Sequence, residues 1–312
     1  MRTSPLGRTG FRVSELCFGA LPLGPLQLNL PLETGVSLIR EAVRAGINFI
    51  DTAHGYNTYR YIKPALSGIT EHVYIASKST ALTWEEMDSA VRAAQDGLGR
   101  KCIDIFHFHA PRTGSRVLEE RPGALECLIE HRRRGVIRAI GLATHSVEAA
   151  KVGAVHPDID VLFPILNVKG LGIIDGTLDE MVDAVALAGR NGKGIYAMKA
   201  LGGGNILSDV EEAFRFVRSL EAVCSVAVGM VSMAELKMNL DIFENRQVQQ
   251  KAPVSEKRFQ VQWFCTGCGE CVPSCAAAAI SLVDAKAHID QSACICCGYC
   301  APGCPQFAIR MV

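Results

Sequence analysis

The sequence predicts an α/β fold, a (β/α)8 TIM barrel, followed by a small cysteine-rich domain of α+β type. Eight short apolar runs recur between residues 16 and 228, and segments with helical periodicity separate them. Each run has the length of a strand and is apolar on both faces, as parallel strands covered by helices are. Eight repeats of this kind favour a closed barrel over an open sheet. The second domain is indicated by nine of the 13 cysteines, which lie between residues 265 and 304.

The elements of the barrel can be assigned in order along the chain. Before the first strand, Leu6–Val13 with Arg8-Thr9-Gly10 at its centre predicts a small hairpin. The eight predicted strands are Leu16–Ala20, Ile47–Asp51, Val73–Ser77, Ile103–His109, Ala139–Ala143, Val161–Leu166, Gly194–Met198 and Val223–Val228. Capping boxes, in which Glu follows a Ser or Thr at the third position, predict the starts of four helices. They pair Thr83 with Glu86, Thr177 with Glu180, Ser208 with Glu211 and Ser232 with Glu235.

The boundaries between domains follow from a change in composition after the last predicted helix. We expect the barrel to cover residues 1–244. Residues 245–258 are polar and contain Pro253, which predicts a linker. The cysteine-rich domain then covers residues 259–312.

The composition excludes several classes of protein. The 32 basic and 32 acidic side chains cancel, so no global positive field exists to attract a nucleic acid. A hydrophobic fraction of 49% excludes a disordered chain. No apolar run is long enough to span a membrane, and Met1–Gly10 lacks the apolar core of a secretory signal. We therefore expect a cytoplasmic protein with reduced thiols, whose clustered cysteines bind metal.

The cysteines of the second domain form a repeat with an offset of 29 residues. Each copy has the spacing Cys-x2-Cys-x2-Cys-x3-Cys, which is the bacterial ferredoxin run whose fourth cysteine ligates the other iron–sulfur cluster. The predicted ligands of the first 4Fe–4S cluster are Cys265, Cys268, Cys271 and Cys304. Those of the second 4Fe–4S cluster are Cys294, Cys297, Cys300 and Cys275. Two zinc sites are the alternative, but tetrahedral zinc needs only two Cys-x2-Cys pairs and leaves the other cysteines without a role.

The second domain thus resembles the bacterial ferredoxins that carry two 4Fe–4S clusters. It departs from their pattern at Ala276, where the first run lacks the proline that Pro305 supplies in the second. Cys296 lies outside the repeat and is expected to be a free thiol. Two clusters of this type normally transfer electrons, and a purely structural role for both is the alternative.

Four side chains suited to acid–base chemistry follow three consecutive predicted strands. Chemistry in such barrels takes place where the strands end, and there the sequence has Asp51, Tyr56, Lys78 and His109. Asp51 can pair with Lys78, whose ammonium group is expected to lower the pKa of the Tyr56 phenol. Tyr56 can then donate a proton to a carbonyl oxygen while His109 orients that oxygen. His107 lies on the same strand as His109, and we expect it to be packed inside the barrel.

These residues and the motifs around them resemble the aldo-keto reductase family over residues 3–244. The matching segments are Leu6-Gly7-Arg8-Thr9-Gly10, Phe49-Ile50-Asp51-Thr52-Ala53 with Tyr56, Ser77-Lys78 and His107-Phe108-His109. The resemblance implies that Tyr56 is the proton donor, that Lys78 and Asp51 tune it, and that His109 orients the substrate. It also implies a nicotinamide cofactor, bound across the rim of the barrel without a Rossmann fold.

The resemblance assigns further residues to the cofactor. Thr144 and His145 occupy the place of the segment that holds the carboxamide, and Asn167 is a further contact. Met198 replaces the aromatic ring that stacks on nicotinamide in the family. Gly203 belongs to a glycine loop whose backbone amides could approach a pyrophosphate. The adenosine contacts are Ser232, Glu235 and Asn239. The last loop lacks a Lys/Arg cluster for a 2′-phosphate, which favours NAD(H) over NADP(H) and leaves a flavin as an alternative.

The combination predicts an iron–sulfur oxidoreductase that interconverts a small-molecule carbonyl and an alcohol. Hydride transfer moves two electrons and a cluster passes one, so nicotinamide or a flavin must mediate between them. The clusters would exchange electrons with a protein partner. An electron-transfer module whose barrel only binds a ligand, a flavin or a partner is the alternative of a different class. The short loops after the strands predict an open rim on which another domain or protein docks.

Overall fold

The computed structural model of the protein describes residues 1–206, 209–248, 257–275 and 277–312. A hairpin of β1 (Thr3–Pro5) and β2 (Arg12–Ser14) comes first and is antiparallel, as predicted. The next eight strands are β3 (Leu16–Gly19), β4 (Phe49–Asp51), β5 (Tyr74–Ser79), β6 (Ile103–Ala110), β7 (Ile137–Thr144), β8 (Val161–Pro164), β9 (Gly194–Met198) and β10 (Ser225–Gly229). They form one closed parallel barrel in chain order, in which β10 pairs with β3. All eight predicted strands and the barrel are therefore confirmed.

A helix follows each strand of the barrel. In chain order they are α1 (Leu32–Arg44), α2 (Tyr59–Ala65), α3 (Trp84–Leu98), α4 (Pro122–Arg133), α5 (Val147–Val155), α6 (Leu178–Arg190), α7 (Val210–Ser219) and α8 (Met233–Phe243). None of the described helices is long and apolar enough to cross a membrane.

The predicted capping boxes of α3 and α6 are confirmed, because Thr83 and Thr177 exchange both hydrogen bonds with the glutamate three positions on. Ser232 caps α8 through its side chain, as predicted. The Glu235 carboxylate, however, accepts a hydrogen bond from the Val231 amide and not from the Ser232 amide. The box predicted for α7 begins at Ser208, which lies outside the described residues. There Asp209 caps the helix by accepting a hydrogen bond from the Glu212 amide.

The barrel is filled by a layer of side chains that supports the rim above it. Phe49, Phe163 and Tyr196 are buried in this layer, and the rings of Phe163 and Tyr196 stack at 3.9 Å. The hairpin closes the opposite end, where the Ser14 amide donates to Asn48 just before β4. The end of the barrel opposite the rim where the strands end is therefore plugged.

The cysteine-rich second domain, residues 259–312, is called the tail below, and it contains four short strands in two antiparallel pairs. They are β11 (Phe259–Val261), β12 (Ile280–Val283), β13 (Lys286–Ile289) and β14 (Ile309–Met311), with β11 paired to β14 and β12 to β13. The described part of the tail has turns and no helix, where the sequence predicts a small α+β fold. The cysteine runs cannot be helical because Gly267, Gly269, Cys296 and Gly298 all have positive φ angles.

The tail packs on the rim of the barrel. Phe307 is buried within the main core of the barrel, although it belongs to the tail by sequence. The loop at Gly202–Gly204 makes close contact with the tail, since a Cβ on Gly204 would lie 2.5 Å from the Met311 carbonyl oxygen. The predicted open rim is thus covered by the chain's own second domain.

Candidate active site

The structure brings together the four side chains that the sequence selects at the strand ends. Asp51 is the last residue of β4, Lys78 lies on β5, and His109 lies on β6. Tyr56 ends a short 3-10 helix that follows β4. Lys78 Nζ donates to Asp51 Oδ1 at 2.6 Å and to the Thr52 carbonyl oxygen at 2.7 Å.

The Tyr56 phenol lies near both a cation and an imidazole. Lys78 Nζ is 4.9 Å from the centroid of the Tyr56 ring. The rings of Tyr56 and His109 are nearly perpendicular, with centroids 6.2 Å apart. A carbonyl group held against this pair would meet a phenol on one side and an imidazole on the other.

Burial dominates the ionisation of the phenol. Burial raises the pKa of Tyr56, and the neighbouring Lys78 ammonium lowers it by less. The expectation that Lys78 lowers the pKa of Tyr56 therefore holds for that one contribution and is wrong for the net shift. The phenol stays protonated, which is the form that a proton donor requires.

The ion pair is buried, and its two partners respond differently. Burial raises the pKa of Asp51 more than Lys78 and Tyr196 lower it. Burial tends to lower the pKa of Lys78, but the attraction of Asp51 and Tyr56 outweighs it and the pKa rises. Lys78 thus carries its positive charge at neutral pH beside Tyr56.

His109 and His107 are both neutral in this environment. Burial, followed by repulsion from Lys78, lowers the pKa of each imidazole well below its usual value. His107 is fully buried, as predicted, and its Nε2 lies 2.7 Å from the Tyr196 hydroxyl. A neutral His109 can share a hydrogen bond with a carbonyl oxygen without competing with Tyr56 for the role of acid.

Tyr196 is the residue of this network that the sequence analysis did not single out. Its hydroxyl donates to Asp51 Oδ2 at 3.0 Å while Lys78 binds the other carboxylate oxygen. The signal was present, because Tyr196 and Met198 are two positions apart on β9 and alternate residues of a strand share a face. If Met198 faces the interior, Tyr196 does so too.

A cavity of about 630 Å³ extends from the four residues along the rim. The predicted cofactor contacts that line it are His145, Met198, Gly203, Glu235 and Asn239. Asn239 is buried, and its Oδ1 has no hydrogen-bond partner within the described part of the chain. An acceptor left in this state is suited to a ligand that carries a hydroxyl or amino donor.

The other three predicted cofactor contacts do not line the cavity. Thr144 is buried and accepts a hydrogen bond from the Ser146 amide. Asn167 is bound to its own loop through two hydrogen bonds with the backbone of Leu171. Ser232 caps α8. Their role as cofactor contacts stays a prediction.

The tail contributes residues to this cavity that the sequence did not assign to it. They are Gln262, Trp263, Phe264, Gln306, Arg310, Met311 and Val312. Arg310 is 7% exposed, and its guanidinium lies 5.4 Å from the Phe264 ring and 5.7 Å from the Phe307 ring. The site is therefore formed by both parts of the chain.

The eight repeated cysteines fall into two groups in space. The thiols that act electrostatically on Cys271 are those of Cys304, Cys265 and Cys268, and together with burial, which is the larger cause, they raise its pKa. Burial likewise raises the pKa of Cys300 to about 11, and the thiols acting on it are Cys275, Cys294 and Cys297. Each group takes its fourth member from the other run.

Backbone amides point at the fourth cysteine of each run. The Ala279 amide donates to Cys275 Sγ at 3.2 Å, and the Ala308 amide donates to Cys304 Sγ at 3.3 Å. Among the described residues, no three tail thiols lie within 4.8 Å of one another.

Comparison with known proteins identifies one family. A family model described as the aldo/keto reductase family matches residues 15–213. L-galactose dehydrogenase from Arabidopsis thaliana is 26% identical over 202 residues, which are 55% of this chain and 63% of that protein. A Glycine max protein named as an aldo-keto reductase is 30% identical over 200 residues, 54% of this chain and 57% of that protein. The chain thus spans less than two thirds of these curated relatives.

Solved structures show the same fold. An aldo-keto reductase structure from Pseudomonas aeruginosa has a TM-score of 0.67 and 25% identity, and the match covers 78% of this chain and 95% of that one. The holo form of an aldo-keto reductase from Bacillus halodurans has a TM-score of 0.64 and 19% identity, with 82% and 93% covered.

Proposed function

The chain belongs to the aldo/keto reductase family, and from this premise we propose that it is an iron–sulfur oxidoreductase that interconverts a carbonyl and an alcohol. The observation that carries the proposal is the charged Lys78, held by Asp51 at 2.6 Å and lying 4.9 Å from the Tyr56 ring, whose centroid is 6.2 Å from that of His109. The relatives named as a dehydrogenase and a reductase support the same class of reaction.

Each of the four residues has a role that follows from its protonation state. Tyr56 is protonated and donates its proton to the carbonyl oxygen in the direction of reduction. Lys78 stabilises the phenolate that remains, because it keeps its charge within the wall of the cavity. His109 is neutral and orients the carbonyl oxygen by a hydrogen bond. Asp51 holds Lys78 in place, and the Tyr196 hydroxyl holds Asp51.

The cavity fits a nicotinamide dinucleotide, which supplies the hydride when bound. Its volume of about 630 Å³ lies within the usual range for cofactor sites. Met198 would contact the nicotinamide ring, and the free Oδ1 of Asn239 would accept a hydrogen bond from the adenosine. Lys257 also lines the cavity but is paired with Glu235, so among the described residues that line this end no unpaired cation favours a 2′-phosphate. We therefore propose NAD(H) over NADP(H), with a flavin as the alternative.

We assign two 4Fe–4S clusters to the tail, with the ligands that the spacing predicts. The grouping of the thiols and the amide bonds to Cys275 and Cys304 support the assignment. The core of the tail consists largely of alanine, isoleucine and cysteine side chains, and a domain with so small a core usually needs metal to fold. The clusters would pass electrons to a protein partner in the cytoplasm.

A second candidate function is an electron-transfer module whose barrel binds a ligand without turnover. The contact between Gly204 and Met311 favours it, because the tail occupies the approach to the loop that was predicted to hold a pyrophosphate. In this alternative the barrel serves as a platform for the clusters.

Anaerobic titration and turnover separate the two candidates. The purified protein with intact clusters is titrated with NADH, NADPH and FMN and is then assayed against a panel of aldehydes, ketones and polyols. The oxidoreductase proposal expects NADH binding and turnover that disappears in Tyr56→Phe. Binding of none of the three cofactors would contradict it and favour the module.

A further inference from the structure

Two cations near the four catalytic candidates have no acidic partner within the described part of the chain. Lys199, which follows β9, lines the cavity beside His145, and Arg310 enters the same cavity from β14 of the tail. Among the ion pairs of residues 1–206, 209–248, 257–275 and 277–312, none includes either side chain. By contrast, Lys78 and Lys257 in the same cavity are each paired with a carboxylate.

Arg310 is held in place by packing instead of by polar contacts. It is 7% exposed, and its Nε is buried with no hydrogen-bond partner among the described residues. The rings of Phe264 and Phe307 lie beside the guanidinium and fix its orientation. Burying an unpaired guanidinium is costly, which indicates that a ligand completes its environment.

Lys199 is also positioned for a ligand. Its backbone has a φ angle of 61°, a conformation that costs energy for any residue other than glycine. This conformation brings Nζ to 2.6 Å from His145 Nε2. Burial, and then repulsion from Arg310, lowers the pKa of Lys199 well below its usual value. An anion between the two side chains would remove this repulsion and restore the charge of the lysine.

We propose that Arg310 and Lys199 bind a carboxylate group of the carbonyl substrate, which makes the substrate an oxo acid. This inference rests on the proposed carbonyl–alcohol function. The planar guanidinium of Arg310 matches a carboxylate with two parallel hydrogen bonds, and Lys199 adds a point charge. The exposed Arg112, which bonds to Gln306, adds positive potential at the edge of the same cavity.

The pair lies beside the reacting groups, and a Cβ on Gly203 of the predicted pyrophosphate loop would also lie 3.5 Å from Arg310 Cγ. Arg310 and Lys199 act electrostatically on His109, and Arg310 acts on Tyr56. The predicted adenosine contacts lie elsewhere along the cavity, beside Lys257. A substrate carboxylate bound by Arg310 would therefore lie near its reacting carbonyl group.

The first test compares matched substrates in the full-length protein with intact clusters. Turnover of 4-formylbenzoate and 4-oxobutanoate is measured against that of their methyl esters. We expect Arg310→Gln to lower kcat/KM for the acids by about 10- to 100-fold, mainly through KM, because it removes a charged hydrogen bond. The esters should lose less than the acids, because an ester forms no ion pair with Arg310, although Arg310 also acts electrostatically on Tyr56 and His109. An equal loss for acids and esters would overturn the proposal.

Two further variants distinguish recognition from folding. Arg310→Lys keeps the charge and should retain part of the preference for acids, whereas Lys199→Gln should lower it in the same direction as Arg310→Gln. Arg116→Gln is the matched control, since this arginine is exposed and lies outside the cavity. A loss of the preference in the control as well would contradict a specific site.

A binding measurement separates this proposal from the proposed function. Benzoate and benzamide are titrated calorimetrically into the wild-type protein and Arg310→Gln, and NADH is titrated in parallel. Benzoate binding that depends on Arg310, without turnover of any aldehyde, would support the anion site and contradict the oxidoreductase. Turnover of the esters without benzoate binding would support the oxidoreductase and contradict the anion site. NADH affinity that falls in Arg310→Gln, with benzoate unaffected, would assign the cations to the cofactor and overturn the proposal.

Discussion

The hydroxyl of Tyr196 donates to Asp51 Oδ2 at 3.0 Å, on the opposite side of the carboxylate from Lys78. The same hydroxyl lies 2.7 Å from His107 Nε2. The carboxylate is therefore held by two donors in a fully packed layer. The orientation of Lys78 toward Tyr56 depends on a residue that has no contact with the solvent.

Removing this hydroxyl should weaken the site without abolishing it. In Tyr196→Phe, Asp51 loses one donor and His107 loses its described partner, so we expect a loss of about 1–3 kcal/mol in the free energy of unfolding. We also expect the pKa of Asp51 to rise further and kcat to fall by about 10-fold. Denaturant unfolding and steady-state kinetics check both effects. Tyr74→Phe is the control for kcat, which should not change, because the half-buried Tyr74 lies outside the cavity and its hydroxyl only accepts a 3.4 Å hydrogen bond from the Arg12 amide.

Tyr56→Phe tests the proton donor directly. The variant keeps the ring but removes the only atom that we assign to proton transfer, so kcat should fall by about 100- to 10,000-fold. NADH affinity, measured by fluorescence titration, should stay within about two-fold of wild type. Tyr59→Phe is the matched control, because its hydroxyl bonds to Ser77 instead of facing the substrate. Unchanged turnover in Tyr56→Phe would show that another group supplies the proton.

The buried ion pair should respond differently to single and double substitution. Lys78→Met leaves Asp51 as a buried, poorly compensated acid and should cost about 3–5 kcal/mol in the free energy of unfolding. The double variant Lys78→Met with Asp51→Leu should recover most of that stability and none of the turnover. Denaturant unfolding of both variants beside an activity assay measures this. If the double variant were as unstable as the single one, the charge pair would not explain the loss.

The neutral histidines predict the dependence of stability on pH. The pKa values of His107, His109 and His145 are lowered by burial, so at mildly acidic pH the unfolded state binds protons that the folded state does not. Stability should therefore be present above about pH 6.5 and be lost as the pH falls below it. The pKa of Lys199 is also lowered, so this residue likewise makes the folded protein less stable as the pH falls.

The size of this effect can be measured between pH 7.5 and 5.5. Each strongly shifted histidine should contribute about 1.4 kcal/mol over this interval, and all three about 4 kcal/mol. Carboxylates with lowered pKa values contribute only at lower pH, whereas the raised pKa of Asp51 acts on stability with the opposite sign to the histidines. Anaerobic urea unfolding at each pH measures the slope, which His145→Gln should reduce by about a third. A stability independent of pH in this interval would contradict neutral histidines.

Cys304→Ser should remove the first cluster although the residue belongs to the second run. The cross-ligation predicts that iron content falls from roughly eight atoms per chain toward four, as the cluster at Cys265, Cys268 and Cys271 loses its last ligand. Anaerobic iron analysis and electron paramagnetic resonance of the reduced protein report the change. Cys296→Ser is the control and should keep the full iron content. Loss of the second cluster instead would show that each run binds its own cluster.

The sequence predicts the barrel well because its signal is local. Each strand is buried on both faces, so apolar runs mark all eight of them. The predicted ends of the strands are less accurate than their positions, because hydrogen bonding to a neighbouring strand decides where each strand begins and ends. For example, β7 begins at Ile137, before the exposed Arg138 that interrupts its apolar run, because Ile137 pairs with Ile103 of β6.

The candidate site is predictable only where strand ends mark it. Asp51, Lys78 and His109 are found because the barrel brings consecutive strand ends to one rim. Arg310 could not be found this way, since it lies on a short strand of the tail and reaches the site only through domain packing. The upward shift of the Tyr56 pKa cannot be predicted from the sequence either, because the burial that causes it depends on how the whole chain packs around the rim.

The position of β14 gives the tail a consequence for the physiology of the cell. Arg310 lies six residues after Cys304, which we propose as a ligand of the first cluster, so the place of Arg310 in the cavity would depend on a segment that folds around that cluster. On our proposals, a cell short of iron would make a protein that keeps Asp51, Tyr56, Lys78 and His109 in place. In that protein Arg310 would be displaced from the cavity. Iron starvation would then change which carbonyl compounds the enzyme accepts, in addition to stopping its exchange of electrons.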